Sequence, residues 1–287
     1  MNESLRAEAT REIPESEMRS PEYRKFLKSR TGETVLETVH LGIQFGGLKA
    51  VDDFNMDIKA GELVGLIGPN GAGKTTVFNM LTGVYQPTEG TVSLCGQVMN
   101  GKKAHQFVRA GIARTFQNIR LFSGMSVLDN VKVAMSGKYR YGFAGALFHT
   151  PKYRKIERER DAAARELLSI FHLEDKADLD ATQLPYGQQR KLEIARALAT
   201  DMKVLLLDEP AAGMNPSETA ELLEAIRVIR DRFGVAILLI EHDMNLVMNV
   251  CERIQVISFG VTIAEGLPHE IARNKEVIEA YLGRDNA

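Results

Sequence analysis

Polar and apolar positions alternate over two neighbouring stretches early in the chain. TVLETVHLGIQF (residues 34–45) and AVDDFNMDI (residues 50–58) both alternate and both contain β-branched residues. Alternation places every second side chain on the same face, so the pattern predicts two half-buried strands. Gly46 and Gly47 lie between the two stretches and predict the turn that joins them.

The pattern then changes to short apolar runs and helical segments. ELVGLIG (residues 62–68) predicts a buried strand, and KTTVFNMLTGV (residues 74–84) predicts a helix directly after it. GTVSLCGQVM (residues 90–99) predicts a further edge strand or hairpin. Residues from about 102 to 182 are mostly helix-forming, and the charged stretch at residues 152–171 predicts a helix whose basic half is solvated. This middle part is predicted to be a helical insertion.

Strands and helices alternate again after residue 200. KVLLLDEP (residues 203–210) and VAILLIEH (residues 235–242) predict buried strands. RIQVISFGVTIAEG (residues 253–266) predicts a hairpin, and residues 268–283 predict a terminal helix. Because strands alternate with helices, the sequence predicts an α/β fold with a mainly parallel sheet covered on both faces.

The helix between those two buried strands has local signals at both ends. Asn215 can cap its first turn, Pro216 suits the first helical position, and Glu218 has the spacing of a capping box. Gly234 marks the end of the helix.

Composition narrows the class of protein. The 287 residues are 44% apolar and 26% charged, which is typical of a globular protein with a real core. The net charge of -2 argues against a nucleic-acid partner, and two cysteines are too few for a disulfide framework. Since no apolar run approaches about 18 residues, and no signal peptide is evident, we expect any membrane role to be peripheral. Residues 1–33 predict a flexible N-terminal extension, with a docking arm for a partner as the alternative.

The strongest chemical motif is GPNGAGKTT, which matches G-x-x-x-x-G-K-[ST] between a predicted strand and a predicted helix. Backbone amides of such a loop wrap nucleotide phosphates at a helix N-terminus. Lys74 is expected to reach the β- and γ-phosphates, and Thr75 to bind Mg²⁺. The predicted ATP-binding residues of this loop are Gly68, Pro69, Asn70, Gly71, Ala72, Gly73, Lys74, Thr75 and Thr76.

Other candidate residues follow the predicted strands. Asp208 and Glu209 end a buried strand, where ligands of parallel sheets bind, so Asp208 is expected to hold Mg²⁺ through water and Glu209 to act as general base. An acid pair that caps a helix is the alternative. His242 ends another strand and is expected to contact the γ-phosphate. Gln117, in RTFQNIRLF, is a candidate for Mg²⁺ or the attacking water. Phe45 is a candidate to stack on adenine, or otherwise a core or turn aromatic.

The order of these motifs resembles that of ATP-binding subunits of ABC transporters. The P-loop is followed by Gln117, LPYGQ, LLLDEP, AAGMNP and His242, and the resemblance covers residues 34–284. FGGLKAV, RTFQNIRLF, YGQQRKLEIARAL, EPAAGMNPSET and VIEAYLG resemble more closely the LivG-type ATPase of branched-chain amino acid uptake systems, as do residues 135–157. The resemblance implies a P-loop NTPase core with an antiparallel β subdomain and a helical subdomain over about residues 102–182.

It also implies how the protein works. Two ATPase subunits, identical or paralogous, would bind two ATP molecules with Mg²⁺ as a head-to-tail dimer. Each signature loop would contact the partner's ATP; here its residues are Leu184, Pro185, Tyr186, Gly187 and Gln188. Gln117 and the helical subdomain would receive membrane permease subunits on the cytoplasmic face of the inner membrane, and a periplasmic binding protein would deliver the cargo. The loop at residues 211–215 would cross the interface between the ATP sites.

The signature loop departs from the family's Leu-Ser-Gly-Gly-Gln at two positions. Pro185 replaces Ser and Tyr186 replaces Gly. Proline has no hydroxyl and no backbone N–H, so a serine-type contact to a γ-phosphate is impossible there. We expect the loop to support hydrolysis at the partner's site weakly, through the helix N-terminus and the amides near Gly187.

Several other functions compete with amino-acid uptake. Amide or urea uptake and lipopolysaccharide export use similar ATPases. A soluble ABC-type ATPase that acts on nucleic acid or ribosomes would need a coiled-coil insert, a second cassette or a basic surface. A P-loop GTPase or kinase would leave the signature loop and His242 unexplained, and the sequence has no guanine-recognising N-K-x-D motif.

Overall fold

A computed structural model describes residues 32–139 and 146–282. In this part of the chain, four strands form an antiparallel sheet in the order β2-β1-β4-β5. The strands are β1 (Thr34–Phe45), β2 (Leu48–Lys59), β4 (Glu89–Leu94) and β5 (Gln97–Val98). The predicted turn at Gly46 and Gly47 joins β1 to β2, and the stretch from residue 90 to residue 99 forms the predicted hairpin.

A second sheet has the strand order β10-β9-β3-β8-β7-β6. Neighbouring strands in this sheet are parallel, except that β10 pairs antiparallel with β9 at one edge. The strands are β3 (Leu63–Ile67), β6 (Ile112–Arg114), β7 (Val204–Asp208), β8 (Ala236–Ile240), β9 (Arg253–Ser258) and β10 (Val261–Gly266). The mainly parallel sheet predicted from the sequence is confirmed.

The described α-helices lie between these strands and in the middle of the chain. They are α1 (Lys74–Leu81), α2 (Ala104–Ala110), α3 (Val127–Ala134), α4 (Pro151–Ile170), α5 (Tyr186–Leu198), α6 (Pro216–Phe233), α7 (Met244–Val250), α8 (Pro268–Ile271) and α9 (Lys275–Leu282). No helix among the described residues is long and apolar enough to cross a membrane.

The parallel sheet separates two apolar cores. Side chains alternate across a strand, so neighbouring residues of β7 face opposite cores. Leu205 and Leu207 belong to the core that also includes residues of α3, α4, α5 and α6, whereas Leu206 belongs to the core shared with α1 and the antiparallel sheet. All three are fully buried. Both faces of the sheet are therefore covered, as the continuous apolar runs predicted.

Helix α6 forms as its local signals predicted. The Asn215 side chain accepts a hydrogen bond from the Glu218 amide, and the Glu218 side chain returns to the Asn215 amide. Pro216 occupies the first turn, and Gly234 ends the helix in the left-handed conformation. Each of these contacts spans three or four residues, so sequence alone specifies them.

Three elements differ from the sequence prediction. The segment expected to be helical from about residue 102 contains strand β6, which pairs with β7 in the parallel sheet. Helix α7 was not predicted. The predicted single terminal helix is two helices, because Asn274 breaks the run and its side chain accepts hydrogen bonds from the amides of Glu276 and Val277. Of the N-terminal extension predicted over residues 1–33, all but Gly32 and Glu33 lie outside the described residues.

Candidate functional site

The P-loop connects β3 to α1 and packs tightly against its surroundings. Gly68 has a φ of 155°, and a Cβ built on it would lie 2.0 Å from the Ile257 carbonyl oxygen. Gly73 precedes α1 with a φ of 108°, and its Cβ would lie 2.9 Å from the Ala50 carbonyl oxygen. A side chain at either position would clash with backbone, so this path of the loop requires glycine.

Lys74 lies inside this loop. Its side chain is buried, and Nζ donates to the carbonyl oxygens of Gly68 at 2.6 Å and Pro69 at 3.0 Å. A cavity of about 420 Å³ opens at the loop and is lined by the predicted phosphate-binding residues from Asn70 to Thr76. Its other lining residues are Leu48, Lys49 and Ala50 from the antiparallel sheet, together with Glu209, His242 and Phe259. The ammonium group and the loop amides give the cavity the donors that an anion requires.

Glu209, His242 and Gln117 form a hydrogen-bonded group at one side of the cavity. His242 Nε2 is hydrogen-bonded to Glu209 Oε1, and Gln117 Nε2 donates to Glu209 Oε2 at 3.0 Å. Glu209 has a φ of +47°, an unusual value for a residue other than glycine. The backbone thus turns sharply at the end of β7 and holds this carboxylate between two polar side chains. The structure brings together three residues that lie far apart in the sequence.

Asp208 has a partner that the sequence did not predict. Arg114 Nη2 lies 2.7 Å from Asp208 Oδ2, and both side chains are 8% exposed. Arg114 Nη1 donates to Oδ1 of Asn79, a residue of α1, at 2.7 Å. Arg114 therefore connects the last residue of β7 to α1. The sequence signal was weak, because Arg114 and Asp208 are 94 residues apart.

The residues proposed for Mg²⁺ offer the chemistry that this ion prefers. Thr75 supplies a hydroxyl oxygen at the cavity, Asp208 a carboxylate and Gln117 an amide oxygen. Hard oxygen donors, together with nucleotide phosphates and water, are the usual ligands of Mg²⁺ in proteins. The donor set therefore fits Mg²⁺, although Asp208 and Gln117 are engaged with Arg114 and Glu209 in this conformation.

Glu241 is a second carboxylate that sequence reasoning missed. It is buried beside His242, and its two oxygens accept hydrogen bonds from the backbone amides of Ala211 at 2.9 Å and His242 at 3.2 Å. Burial raises the pKa of this carboxyl group, while the two amide bonds oppose the rise. Glu241 thus fixes the start of the loop at residues 211–215 relative to His242.

Helix α5 begins at Tyr186, within the signature loop. Pro185 is its N-cap residue, and no side-chain hydrogen bond caps the helix. Leu184 and Gly187 are buried, whereas Tyr186 is exposed. The Gln188 side chain accepts a hydrogen bond from Lys176 at 3.0 Å. Serine at position 185 would stand where a capping hydroxyl is normally found.

Phe45 lies at the end of β1, half exposed, with its ring edge-to-face against Tyr85 at 5.2 Å. Both rings are partly exposed, but Phe45 is not among the residues that line the cavity at the P-loop, so adenine stacking stays a prediction. Phe259 was not predicted but lines the cavity from the tip of the β9–β10 turn. That tip is anchored, because Gly260 donates to the Ala72 carbonyl at 2.8 Å.

Comparisons with known proteins give the family. The ABC transporter family model matches residues 51–212, more than half of the chain. A second model, for branched-chain amino acid ATP-binding cassette transporters, matches residues 261–287. These two matches cover both the P-loop part of the chain and its C-terminal segment.

Similar proteins agree with the family models. The high-affinity branched-chain amino acid transport ATP-binding protein BraF of Pseudomonas aeruginosa is 47% identical over 87% of this chain and 98% of its own. LivG of Escherichia coli, with the same description, is 46% identical over 88% of this chain and 98% of its own. The ADP conformation of MJ1267, an ATP-binding cassette of an ABC transporter, superposes with a TM-score of 0.74 at 29% identity, covering 87% of this chain and 99% of that one.

These relatives confirm the fold class predicted from the sequence. The P-loop geometry, the polar group around Glu209 and the matches to both family models agree with one another. The chain belongs to the ATP-binding subunits of ABC transporters, and it binds nucleotide and hydrolyses ATP.

Proposed function

We propose that this chain is the energy-coupling ATPase of an importer for branched-chain or closely related amino acids. The match of residues 261–287 to the branched-chain amino acid transporter model carries this proposal. That segment contains neither the P-loop nor Glu209, His242 and Gln117. It can therefore distinguish one transport system from another, whereas the ATPase residues cannot. The identities of 46–47% to BraF and LivG support the same cargo class.

The roles of the site residues follow from their chemistry. Lys74 turns from the loop carbonyls to the β- and γ-phosphates, and the P-loop amides hold the remaining phosphate oxygens. Glu209 accepts a proton from the attacking water, and His242 contacts the γ-phosphate and orients Glu209. Gln117 positions that water or contacts Mg²⁺. Catalysis is then mainly positioning and charge stabilisation.

Mg²⁺ would be held by Thr75 directly, by Asp208 through water, and by Gln117. When bound, the ion neutralises charge that develops on the phosphates. Arg114 would position this site, because it holds the Asp208 carboxylate at the end of β7. Phe45 stacks on the adenine ring in this proposal, whereas Phe259 lines the phosphate cavity itself.

ATP-binding subunits of this transporter family dimerise and work with membrane permeases. We infer a head-to-tail dimer in which residues 184–188 of each chain contact the ATP bound by the partner, which is a second copy or a paralogue. A periplasmic binding protein would supply the cargo, and the dimer would lie on the cytoplasmic face of the inner membrane. We also propose that residues 34–284 form the ATPase domain, with a helical subdomain over about residues 102–182, although strand β6 within that range pairs with the parallel sheet.

Uptake assays test the proposal directly. A strain that lacks this gene is complemented with the wild-type gene or with Lys74→Ala, and the entry of labelled leucine, urea and a short amide is measured. We expect the wild-type gene alone to restore leucine entry. Restoration of urea or amide entry without leucine entry would replace the proposed cargo, and equal restoration by Lys74→Ala would remove ATP hydrolysis from the proposal.

A further inference from the structure

One buried side chain joins the signature helix α5 to the Gln117 segment, defined here as residues 115–122. Arg190 is fully buried, and its guanidinium donates to the carbonyl oxygens of Phe116 at 2.6 Å and Gln117 at 2.7 Å. Glu193, one turn further along α5, accepts from Arg190 at 2.9 Å and balances its charge. Two adjacent carbonyls of the segment are therefore held by a helix that begins about 70 residues later in the chain.

Tyr186 extends this connection to a third loop. Arg190 Nη2 also lies 3.3 Å from the Tyr186 hydroxyl oxygen, to which it can donate. The Tyr186 ring lies against Gly213 in the loop at residues 211–215, since a Cβ built on Gly213 would be 3.3 Å from that ring. A glycine in place of Tyr186 would make neither contact. The departure from the usual signature loop thus adds contacts that link three segments of the site.

A short path of hydrogen bonds runs from α5 to Glu209. Arg190 holds the backbone of Gln117, and the Gln117 side chain donates to Glu209 at 3.0 Å. A movement of α5 that kept the Arg190 contacts would therefore move Gln117 relative to Glu209. A movement that broke them would leave a buried guanidinium without its carbonyl acceptors, which is strongly unfavourable.

We propose that Arg190 and Tyr186 are positioning residues that set Gln117 against Glu209 according to the position of the signature helix. When the signature loop contacts the partner's ATP, the same movement of α5 then aligns Gln117 with Glu209 in this chain. The inference rests on the proposed dimer and on the proposed roles of Gln117 and Glu209. Arginine suits the task because its planar fork reaches two acceptors at once, whereas lysine is a single point of contact.

Arg190→Lys in the assembled transporter tests the proposal, with Lys191→Met as the matched control. Lys191 is the next residue, is also buried, and pairs with Glu221 rather than with the Gln117 segment. We expect Arg190→Lys to lower kcat for ATP about tenfold, the cost of one charged hydrogen bond, with KM unchanged within about twofold. Lys191→Met is expected to keep wild-type kcat. Equal kcat values for the two variants would overturn the proposal.

Combination with Gln117→Ala separates positioning from a general loss of folding. If Arg190 acts through Gln117, Arg190→Lys causes no further loss of kcat once Gln117→Ala is present. Losses that multiply would overturn the inference and leave the role of Gln117 intact. Wild-type kcat in Gln117→Ala alone would instead overturn the proposed role of Gln117, and the inference with it.

Tyr186→Phe provides a test that does not disturb a buried charge. Tyr186 is exposed, and the substitution removes only its hydroxyl group. We expect kcat to fall about two- to fivefold. This loss is smaller than that of Arg190→Lys, because Tyr186→Phe removes only a neutral acceptor and keeps the guanidinium and its carbonyl contacts. Hydrogen exchange of the Gln117 segment is expected to quicken in both variants, with exchange in α6 unchanged. Wild-type kcat and exchange in Tyr186→Phe would remove Tyr186 from the pair.

Discussion

Glu209 and His242 are hydrogen-bonded to each other across the ends of two adjacent strands, β7 and β8. The Gln117 side chain donates a hydrogen bond to the other oxygen of the Glu209 carboxylate. Glu209 and His242 line the phosphate cavity, and the Gln117 amide lies beside them through its hydrogen bond to Glu209. These three side chains are the part of the site in which substitutions are expected to separate ATP binding from ATP hydrolysis.

Glu209→Gln is expected to retain ATP but fail to hydrolyse it. The amide keeps the shape of the side chain but cannot accept a proton from water, so kcat should fall by at least about 100-fold. Because the ATP stays intact, the dimer should remain closed, which size-exclusion chromatography with ATP can measure. Glu224→Gln, on the exposed side of α6, is the control. Turnover near the wild-type level in Glu209→Gln would remove Glu209 from the role of base.

Lys74→Ala is expected to abolish the stabilisation of the protein by ATP. A ligand at 100 times its Kd raises the free energy of unfolding by about 2.7 kcal/mol, and loss of Lys74 removes the main cation at the phosphates. Thermal melting with and without MgATP measures the effect. Lys152→Ala changes an exposed lysine of α4 and should keep the full shift. An undiminished shift in Lys74→Ala would contradict the proposed phosphate contact.

Arg114→Met is expected to lower the free energy of unfolding by about 3–5 kcal/mol. The substitution leaves the Asp208 carboxylate buried without its ion-pair partner. Urea denaturation measures the loss. Arg227→Met breaks a more exposed ion pair with Glu224 and should cost less than about 1 kcal/mol. A similar small cost for both variants would show that the Arg114–Asp208 pair does not stabilise the site.

Pro185→Ser is expected to stabilise α5 and to raise ATP turnover in the assembled complex. A serine hydroxyl at the N-cap position contributes about 1 kcal/mol, and it also provides the donor that proline lacks for a γ-phosphate. Pro185→Ala is the matched control because it frees the same backbone without adding a hydroxyl. Equal turnover in the serine and alanine variants would contradict the idea that the missing hydroxyl limits the partner's site.

Glu241 predicts a pH-dependent stability. Burial raises its pKa above the ordinary value of 4.5, so the folded protein binds this proton more tightly than the unfolded chain does. The free energy of unfolding contributed by Glu241 is therefore highest below that value and falls as the pH rises towards the raised pKa. Glu241→Gln, which does not titrate, should gain stability relative to wild type over this window. A difference that does not change with pH would contradict the prediction.

The sequence predicted elements whose signals are local and missed those that depend on distant partners. Helix α6 carries its cap, its first-turn proline and its terminal glycine within its own residues. Strand β6 is only three residues long and is defined by pairing with β7, about 90 residues away, so no local pattern indicated it. Whether such a short strand forms depends on its tertiary pairing rather than on the intrinsic preference of its residues.

The same distinction applies to the site. The P-loop could be located because its residues are contiguous, and Glu209 and His242 could be placed at one sheet edge because each follows a buried strand; their roles in hydrolysis stay predictions. Arg114, Glu241 and Arg190 could not, because each was an ordinary charged residue until the fold placed it beside Asp208, Ala211 or Gln117. Buried charges need partners, but sequence does not say which residues will be buried.

Proteoliposomes that contain the complete transporter test the central claim most directly. ATP hydrolysis and entry of labelled leucine are measured together, with a leucine-loaded binding protein on the outside and ATP on the inside. We predict that leucine stimulates hydrolysis, that both activities require this chain, and that Glu209→Gln abolishes both while ATP remains bound. Hydrolysis that is indifferent to leucine, or leucine entry that persists with Glu209→Gln, would contradict the account.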